Sequence, residues 1–204
     1  MTHRLLLPKS ILILCLSLSS LCFGQELFKQ GVDFQILEGE PDSSLQLKEF
    51  FSYNCPHCYS FDSTITGFLK TMPKEYTFSR VPVTFGRKPW EMSAHVYALA
   101  DLLSMTDQLH EKVFEQIHKL HKPFNNENDV KAFFVQNGVD EEKYTSVANS
   151  FSAKSKFASN ELLTKKFKIT SVPTIIVRDV YEIEVGKIDS SEKLSKLVDF
   201  LMRY

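Results

Sequence analysis

The chain has 204 residues, of which 43% are hydrophobic and 24% are charged. This length suits one domain, or one domain with a large insertion, and the composition argues against intrinsic disorder, collagen and a multi-span membrane protein. Lys and Arg number 24 against 25 Asp and Glu, so the formal net charge of −1 gives no indication of a nucleic-acid partner.

The first 24 residues predict a secretory signal peptide. Arg4 and Lys9 precede an apolar run from Ile11 to Phe23, and Gly24 supplies the small residue after which we expect cleavage. An uncleaved membrane anchor is the competing interpretation. It is disfavoured because Pro8, Lys9 and several serines interrupt the apolar stretch.

The predicted cleavage divides the four cysteines into two pairs. Cys15 and Cys22 would leave with the signal peptide, and bulky Leu21 argues against lipid modification of Cys22. The remaining 180 residues would then carry only Cys55 and Cys58, in an exported and oxidising compartment. Two cysteines three positions apart do not form a structural disulfide framework, and a chain of this size does not need one.

The mature chain begins with alternating strands and a helix. An edge strand is predicted over Asp33–Leu37 and a more buried strand over Leu45–Tyr53. A helix follows from Pro56 towards Leu69, because proline at the first helical position loses no hydrogen bond. Glu75–Val83 predicts a third strand, which Pro82 marks as an edge or a break.

The next part of the chain is helical throughout. Asp107 is the predicted cap of one helix, and Asn126 opens another that should end at Gly138. Apolar spacing then predicts a helix beginning at Tyr144 and carrying Phe151, and a further helix over Phe157–Phe167.

Strand character returns near the C-terminus. Strands are predicted over Thr174–Val177 and Tyr181–Val185, joined by a turn at Arg178–Asp179. Asp189 with Glu192 forms a predicted capping box for the last helix.

The order of these elements predicts an α/β fold with an insertion. A β-α-β unit and a β-β-α unit make sense together only as one domain interrupted by helices. The predicted divisions are a signal peptide over 1–24, a discontinuous domain over 25–87 and 161–204, and an inserted helical subdomain over 88–160.

The chemistry is expected at Cys55-Pro56-His57-Cys58. Two cysteines separated by two residues, in the first turn of a helix, can close a small disulfide without moving the backbone. Unpaired N–H groups and the helix dipole favour negative charge on Cys55, and His57 can add a donor or a positive charge. These effects stabilise the thiolate, which is the reactive form of cysteine.

A stabilised thiolate also predicts the direction of the redox reaction. Each unit by which the pKa of a thiol is lowered favours the charged form by about 1.4 kcal/mol. This energy belongs to the reduced protein, and it raises the reduction potential of a two-electron couple by about 30 mV per unit. A shift of several units would make the protein an oxidant.

Other uses of the cysteine motif are disfavoured. A zinc site needs four ligands, and no second cysteine pair is present. His110, His118 and His121 are interpreted as solvated residues on a charged helical face. Haem attachment would need His directly after Cys58, where the chain has Tyr59.

The segment Glu49–Tyr59, EFFSYNCPHCY, resembles the active-site segment of the DsbA family of periplasmic thiol:disulfide oxidoreductases, in the thioredoxin superfamily. Val172-Pro173 resembles the family's second motif, which places a cis-proline beside the redox disulfide. The similarity extends over essentially the whole mature chain. It implies a thioredoxin fold with an inserted helical subdomain.

The resemblance also implies roles for individual residues. Cys55 would be the exposed nucleophile and Cys58 its buried partner, while Pro56 and His57 would tune the thiolate. The backbone of Val172 would pair with an extended substrate, and Pro173 would pack on the sulfurs.

An apolar groove and a charged cluster complete the implied site. Phe51, Tyr59 and Phe61 would line a groove for unfolded chains. Glu49, Asp62 and Arg80 align with a buried charged cluster near the second cysteine of family members. They either tune the electrostatics and protonation of Cys58 or form a surface pair without consequence.

The resemblance implies a periplasmic oxidase that gives its disulfide to reduced, newly exported proteins. A membrane-bound, quinone-linked thiol oxidase of the DsbB type would restore the disulfide, and no bound cofactor, metal or nucleic acid is expected. A disulfide isomerase or reductase is the alternative enzyme. A thioredoxin-fold chaperone or binding module without catalysis is the non-enzymatic alternative.

Overall fold

The computed structural model describes residues 27–204, so the predicted signal peptide lies outside the described residues. The described residues form a mixed sheet and a set of α-helices. The elements are β1 (Phe34–Ile36), β2 (Gln46–Phe51), α1 (Pro56–Thr71), β3 (Thr77–Pro82), α2 (Lys88–Leu102), α3 (Thr106–His118), α4 (Glu127–Gln136), α5 (Glu141–Ala148), α6 (Phe151–Lys166), β4 (Thr174–Val177), β5 (Tyr181–Ile183), a 3₁₀ turn (Val185–Lys187) and α7 (Ser191–Arg203). Among the helices of residues 27–204, none combines the length and apolar character needed to cross a membrane.

The five strands follow the order β1-β5-β4-β2-β3. Strands β2 and β3 are parallel and are connected through α1, and the other pairs are antiparallel. Pro82 lies at the end of edge strand β3, where the sheet loses no hydrogen bond through its missing N–H. The sheet therefore confirms the predicted α/β class and places β2 next to its centre.

Apolar packing covers both faces of the sheet. Helices α1 and α7 pack on the face that carries Leu47 and Ile175. Phe50 and Ile176 point to the opposite face, where they pack with Phe167. This two-sided burial explains why the phenylalanines at 50 and 51 are adjacent in sequence and yet both have 0% exposure.

Helix α1 holds the predicted redox motif against this core. Its buried side contains Ile65 and Phe68, and it packs closely on α7. At Gly67 the two helices are so near that any Cβ would collide with the hydroxyl oxygen of Ser191. The Ser191 hydroxyl donates to the Thr64 carbonyl at 2.9 Å, which fixes the position of α7 against α1.

The helices between β3 and β4 build a separate apolar cluster that includes Val96, Leu109 and Phe134. This cluster extends to Phe51 and to both cysteines, so the helical block forms one wall of the redox motif. The division into residues 25–87 with 161–204 and an insert of 88–160 remains a prediction. Helix α6 runs continuously through its C-terminal boundary.

The helix ends confirm some of the predicted signals and correct others. Asn126 caps α4 by accepting hydrogen bonds from two backbone N–H groups, and Gly138 follows the helix with a φ of +90°. The prediction of Asp107 as a cap is wrong, because α3 already begins at Thr106. The cap of α7 is Ser190 and not Asp189, since the Ser190 hydroxyl accepts from the N–H of Lys193.

Phe151 also lies elsewhere than predicted. It opens α6 rather than closing the preceding helix, because the Ser150 side chain caps a new helix at this point. The predicted helix over Phe157–Phe167 therefore starts six residues earlier and forms a single element of sixteen residues.

The turn between β4 and β5 places Arg178 and Asp179 in the left-handed region, with φ values of 49° and 62°. Val177 pairs with Tyr181, so the connection has three residues. Left-handed angles suit a tight hairpin turn, but they are strained for side chains of this size. Both side chains are anchored: Arg178 donates to the Asp42 carbonyl at 2.9 Å, and the Asp179 carboxylate pairs with Lys48 and Lys166. These contacts hold a turn whose geometry the dipeptide alone did not predict.

Candidate active site

The two cysteines lie at the start of α1, as predicted. Cys55 is the residue before the helix, with extended backbone angles, and Pro56 occupies the first helical position. Cys58 lies in the first turn, and its thiol is not joined to that of Cys55 in this structure. The helix therefore presents its first unpaired N–H groups towards the Cys55 sulfur.

Both cysteines are more enclosed than the resemblance implied. Cys58 is 1% exposed, as expected of a buried partner, but Cys55 is only 6% exposed. The prediction that Cys55 is exposed is therefore wrong. The carbonyl oxygen of Val172 lies 3.4 Å from Cys55 Sγ and helps to enclose it. Pro56 and His57 are exposed beside it.

The environment separates the acidities of the two thiols. A hydrogen bond from the Cys58 thiol is the largest influence on Cys55, and the backbone N–H groups of His57 and Cys58 and the charge of His57 act in the same direction. Together they outweigh burial and lower the pKa of Cys55 from 9.0 to about 6. The hydrogen bond to Cys55, followed by burial, raises the pKa of Cys58 well above its usual range.

At neutral pH this arrangement favours a thiolate at Cys55 and a protonated thiol at Cys58. The contributions of the helix N-terminus and of His57 agree with the sequence prediction. The donor with the largest effect, the Cys58 thiol, was not identified from the sequence.

The Val172–Pro173 peptide bond is cis and lies beside the cysteines. Val172 and Pro173 form one wall of a cleft of about 480 Å³, and His57 and Phe61 from α1 form another. The predicted association of the two motifs is therefore present in the structure.

Two residues assigned to the apolar groove differ in their accessibility. Tyr59 is partly exposed and packs against Phe114. Phe51 is 0% exposed and packs edge-on against Tyr53 and Tyr97, so it belongs to the core. The prediction that Phe51 contacts substrate is wrong, because its strand is covered on both faces.

Glu49, Asp62 and Arg80 form one cluster. Arg80 Nε lies 2.8 Å from Glu49 Oε2, and Arg80 Nη2 lies 3.1 Å from Asp62 Oδ1. The side chains of Glu49 and Arg80 are 2% and 10% exposed, which contradicts the alternative of a surface pair. Burial raises the pKa of Glu49 despite the opposing charge of Arg80, and the charge of Glu49 in turn raises the pKa of Cys58.

The cluster continues into a hydrogen-bonded chain that the sequence analysis missed. His110 Nε2 lies 2.9 Å from Asp62 Oδ1, and its Nδ1 lies 2.8 Å from the Tyr53 hydroxyl. Although burial opposes ionisation of Asp62, the hydrogen bond from His110 and the charge of Arg80 keep the pKa of that carboxyl below its usual value. These hydrogen bonds connect Tyr53, two positions before Cys55, with the charged cluster of Glu49, Asp62 and Arg80.

The prediction that His110 is solvated is wrong, because His110 is buried, whereas His118 is half-buried and His121 is exposed as predicted. His118 Nε2 donates to the Tyr53 carbonyl at 2.7 Å, and its ring stacks on Tyr59 with centroids 4.7 Å apart. Helix α3 therefore holds Tyr53 at two points, one on the side chain and one on the backbone.

Comparisons with known proteins agree with this geometry. A family model described as a DSBA-like thioredoxin domain matches residues 46–201. The chain is 33% identical to the thiol:disulfide interchange protein DsbA of Pseudomonas syringae pv. tomato over 158 residues, which cover 78% of this chain and 73% of that protein. It is 32% identical over the same length to DsbA of Pseudomonas aeruginosa, covering 74% of that protein.

Solved structures show the same likeness. The crystal structure of Pseudomonas aeruginosa DsbA superposes with a TM-score of 0.77 at 29% identity, covering 86% of this chain and 93% of that one. The oxidoreductase DsbA from Xylella fastidiosa superposes with a TM-score of 0.75 at 26% identity, covering 87% of this chain and 97% of that one.

Proposed function

This chain belongs to the DSBA-like thioredoxin family and is a thiol:disulfide oxidoreductase, and we propose that it donates the Cys55–Cys58 disulfide to reduced, newly exported proteins. The observation that carries the proposal is the separation of the two thiols, with the pKa of Cys55 lowered to about 6 and that of Cys58 raised. An enzyme that stabilises its reduced form in this way transfers its disulfide to its substrates.

The reaction begins when a substrate thiolate attacks the Sγ of Cys55 in the oxidised enzyme. The Cys55–Cys58 bond breaks, a substrate–Cys55 disulfide forms, and the electron pair leaves on Cys58. Cys58 then takes up a proton, which its burial favours. The buried thiol is thereby removed as a nucleophile, so reversal of the step is slowed.

A second substrate thiolate completes the transfer. It attacks the substrate sulfur of the mixed disulfide, and Cys55 leaves as a thiolate. A thiol with a pKa of about 6 is a better leaving group than one at 9.0. Two electrons have then passed from the substrate to the enzyme, and the substrate carries the disulfide.

Neighbouring residues support these steps. Pro56 occupies the first position of α1, where its missing N–H costs no hydrogen bond. His57 contributes positive charge and a backbone donor to the Cys55 thiolate. Val172 lies beside Cys55, and Val172 and Pro173 line the adjacent cleft, so the Val172 backbone is assigned to pairing with an extended segment. Tyr59, on the other side of the helix start, is assigned to the rim of the substrate surface.

Glu49, Asp62 and Arg80 are assigned to electrostatic control of Cys58. Glu49 is the carboxylate of the cluster whose charge raises the pKa of that thiol, and Arg80 limits this effect by pairing with it. A buried charged cluster that acts on a reactive thiol is typical of a functional site.

The cellular setting is also part of the proposal. The predicted signal peptide over residues 1–24 would direct the protein to the periplasm. Continued turnover requires an oxidant that removes two electrons from the Cys55–Cys58 dithiol. A membrane-bound, quinone-linked thiol oxidase of the DsbB type would perform this step.

The proposal is tested by mixing the oxidised protein with a reduced, unfolded protein that contains two cysteines. We expect one substrate disulfide for each enzyme disulfide lost, and no transfer by the Cys55→Ser variant. A parallel reaction starts from a substrate with scrambled disulfides. Reshuffling without net transfer would identify an isomerase, and the absence of both reactions would identify a binding module.

A further inference from the structure

His118, in the last turn of α3, contacts the chain on both sides of the Cys55–Cys58 motif. Its Nε2 donates to the carbonyl oxygen of Tyr53, two positions before Cys55, at 2.7 Å. Its ring lies parallel to that of Tyr59, the residue after Cys58, with 4.7 Å between the centroids and 3° between the planes. One side chain of the helical block therefore touches both the segment that enters the redox motif and the segment that leaves it.

The entering segment is a four-residue turn that begins at Ser52 and ends at Cys55. The Cys55 N–H donates to the Ser52 carbonyl at 3.1 Å, which closes the turn. The central peptide group of the turn consists of the Tyr53 carbonyl and the Asn54 N–H, and the rotation of this group distinguishes one type of turn from another. His118 donates to the carbonyl, and the Ser52 hydroxyl accepts from the Asn54 N–H at 3.2 Å. Both ends of the central peptide are therefore held.

The turn determines where the two sulfurs lie. Cys55 is the last residue of the turn and also the residue that directly precedes α1, with a φ of −89° and a ψ of 118°. The backbone N–H of Ser52, at the other end of the turn, acts on the Cys58 thiol as a hydrogen-bond donor. A rotation of the central peptide would therefore move Cys55 relative to Cys58, because the helix follows the turn without a spacer.

The contact with Tyr59 orients the histidine ring. Tyr59 belongs to the first turn of α1, since its N–H donates to the Cys55 carbonyl at 3.1 Å. Phe114, one turn before His118 on α3, packs against Tyr59 and Tyr53 with centroid separations of 5.6 and 4.9 Å. With its plane set by Tyr59, the ring of His118 directs Nε2 at the Tyr53 carbonyl.

The position of the turn matters most in the reduced enzyme. There the Cys58 thiol donates to Cys55, and this hydrogen bond is the largest of the effects that lower the pKa of Cys55. Such a bond requires the two sulfurs to stay close, and it weakens steeply when its geometry is lost. In the oxidised enzyme the covalent bond keeps the sulfurs together, so that form depends less on the turn.

We propose that His118 is a positioning residue for disulfide exchange: its hydrogen bond to the Tyr53 carbonyl fixes the turn before Cys55 and so maintains the contact between the two thiols of the reduced enzyme. The inference deepens the proposed function and rests on it, since a donor of disulfides needs a stabilised reduced form. The charge of the ring is not required, because Nε2 carries a proton in the imidazolium ion and in one tautomer of neutral imidazole.

The test replaces the ring of His118 in two ways. His118→Phe keeps a ring that can stack on Tyr59 but has no donor, whereas His118→Gln loses the ring and places an amide donor near the position of Nε2. Equilibration with reduced and oxidised glutathione gives the equilibrium constant for reduction of the Cys55–Cys58 pair. The thiolate absorbance, followed over pH, gives the pKa of Cys55.

We expect His118→Phe to raise the pKa of Cys55, because weakening one hydrogen bond to a charged group reduces its acidity about tenfold. Starting from a pKa of about 6, this change lowers the equilibrium constant for reduction at pH 7 about fivefold. His118→Gln should remain within about twofold of the wild type, because it keeps a donor. His118→Met, which has neither ring nor donor, should show the same loss as His118→Phe and serves where that variant does not fold.

His95→Phe is the matched control. His95 is also a half-buried histidine of the helical block, and its ring stacks on Phe157 with 4.4 Å between the centroids. This variant should leave the equilibrium constant and the pKa of Cys55 unchanged. Urea unfolding of the oxidised and reduced forms separates positioning from stability, since a merely structural contact would destabilise both forms alike and leave the equilibrium constant as it is.

Wild-type values of both quantities in His118→Phe would overturn the positioning role. Equal shifts in His118→Phe and His118→Gln would also overturn it, because the hydrogen-bond donor would then not be the group that acts. Failure of the oxidised wild type to pass its disulfide to a reduced substrate would instead overturn the proposed function. The two failures are distinguishable, since the equilibrium with glutathione requires no protein substrate.

Discussion

The hydroxyl of Tyr53 lies 2.8 Å from Nδ1 of His110 in the protein interior. Burial, helped by the charge of Arg80, lowers the pKa of His110 although Asp62 opposes the shift. The ring is therefore neutral at neutral pH. With Nε2–H donating to the Asp62 carboxylate, Nδ1 has to accept from the Tyr53 hydroxyl. This hydrogen bond ties the segment before Cys55 to helix α3.

Replacing Tyr53 with Phe should destabilise the protein by about 1 to 2 kcal/mol, because it leaves the acceptor nitrogen of His110 buried without a partner. The free energy of unfolding, measured with urea, tests this expectation. Tyr144→Phe is the matched control: Tyr144 is also buried, but only burial and the charge of Glu127 affect its pKa, with no hydrogen-bond contribution. Equal losses in the two variants would show that the Tyr53–His110 contact adds no specific stability.

The helical spacing of α3 contained a signal for His110. His110 lies four positions before the buried Phe114 and seven before the buried Ile117, so it shares their face of the helix. The charged residues around it, such as Glu111 and Lys112, favoured the interpretation of a solvated face. Its partners Tyr53 and Asp62 are 57 and 48 positions away, and no local pattern predicts contacts of that separation.

Most of the architecture was predictable because it depends on local patterns. The start of α1 at Pro56, the strand Thr174–Val177 and the cap at Asn126 follow from residue types at fixed positions, and the structure confirms all three. The burial of Phe51 could not be predicted in the same way. It depends on the helical block that packs over that end of β2.

The acidity of Cys55 depends more on Cys58 than on the exposed residues between them. Cys58→Ala removes the thiol that donates to Cys55, whereas Cys58→Ser keeps a hydroxyl donor at nearly the same place. We therefore expect the pKa of Cys55 to be higher in Cys58→Ala than in Cys58→Ser. The pH dependence of alkylation, with mass spectrometry to locate the modified cysteine, gives both values. Identical profiles would mean that the backbone N–H groups and His57 suffice.

The charge of Glu49 acts on Cys58. Glu49→Gln removes a negative charge near that sulfur and leaves Arg80 less neutralised, and both changes favour the Cys58 thiolate. The pKa of Cys58 should fall in a Cys55→Ser background, as measured by carbon NMR titration of labelled cysteine. Glu142→Gln, which removes a distant exposed carboxylate, should not change it. An unaltered pKa in Glu49→Gln would assign the cluster to structure alone.

The lowered pKa of Cys55 also makes the stability of the reduced protein depend on pH. The folded pKa of about 6 lies below the ordinary value of 9.0, so the stabilisation is complete above 9.0 and is lost as the pH falls through about 6. Cys58 remains protonated across this interval. From about pH 6 to about pH 8 the reduced protein should gain about 2 kcal/mol relative to the oxidised protein.

The oxidised protein provides the reference, because its disulfide carries no titrating thiol and the rest of the chain is unchanged. Denaturant unfolding of both forms at a series of pH values gives the difference in unfolding free energy. Folding and reduction form a thermodynamic cycle. Each 1.4 kcal/mol gained by the reduced form therefore raises the reduction potential of the folded protein, relative to that of the unfolded protein, by about 30 mV. A difference that does not change with pH would contradict a stabilised Cys55 thiolate, and the proposed direction of disulfide transfer would lose its physical basis.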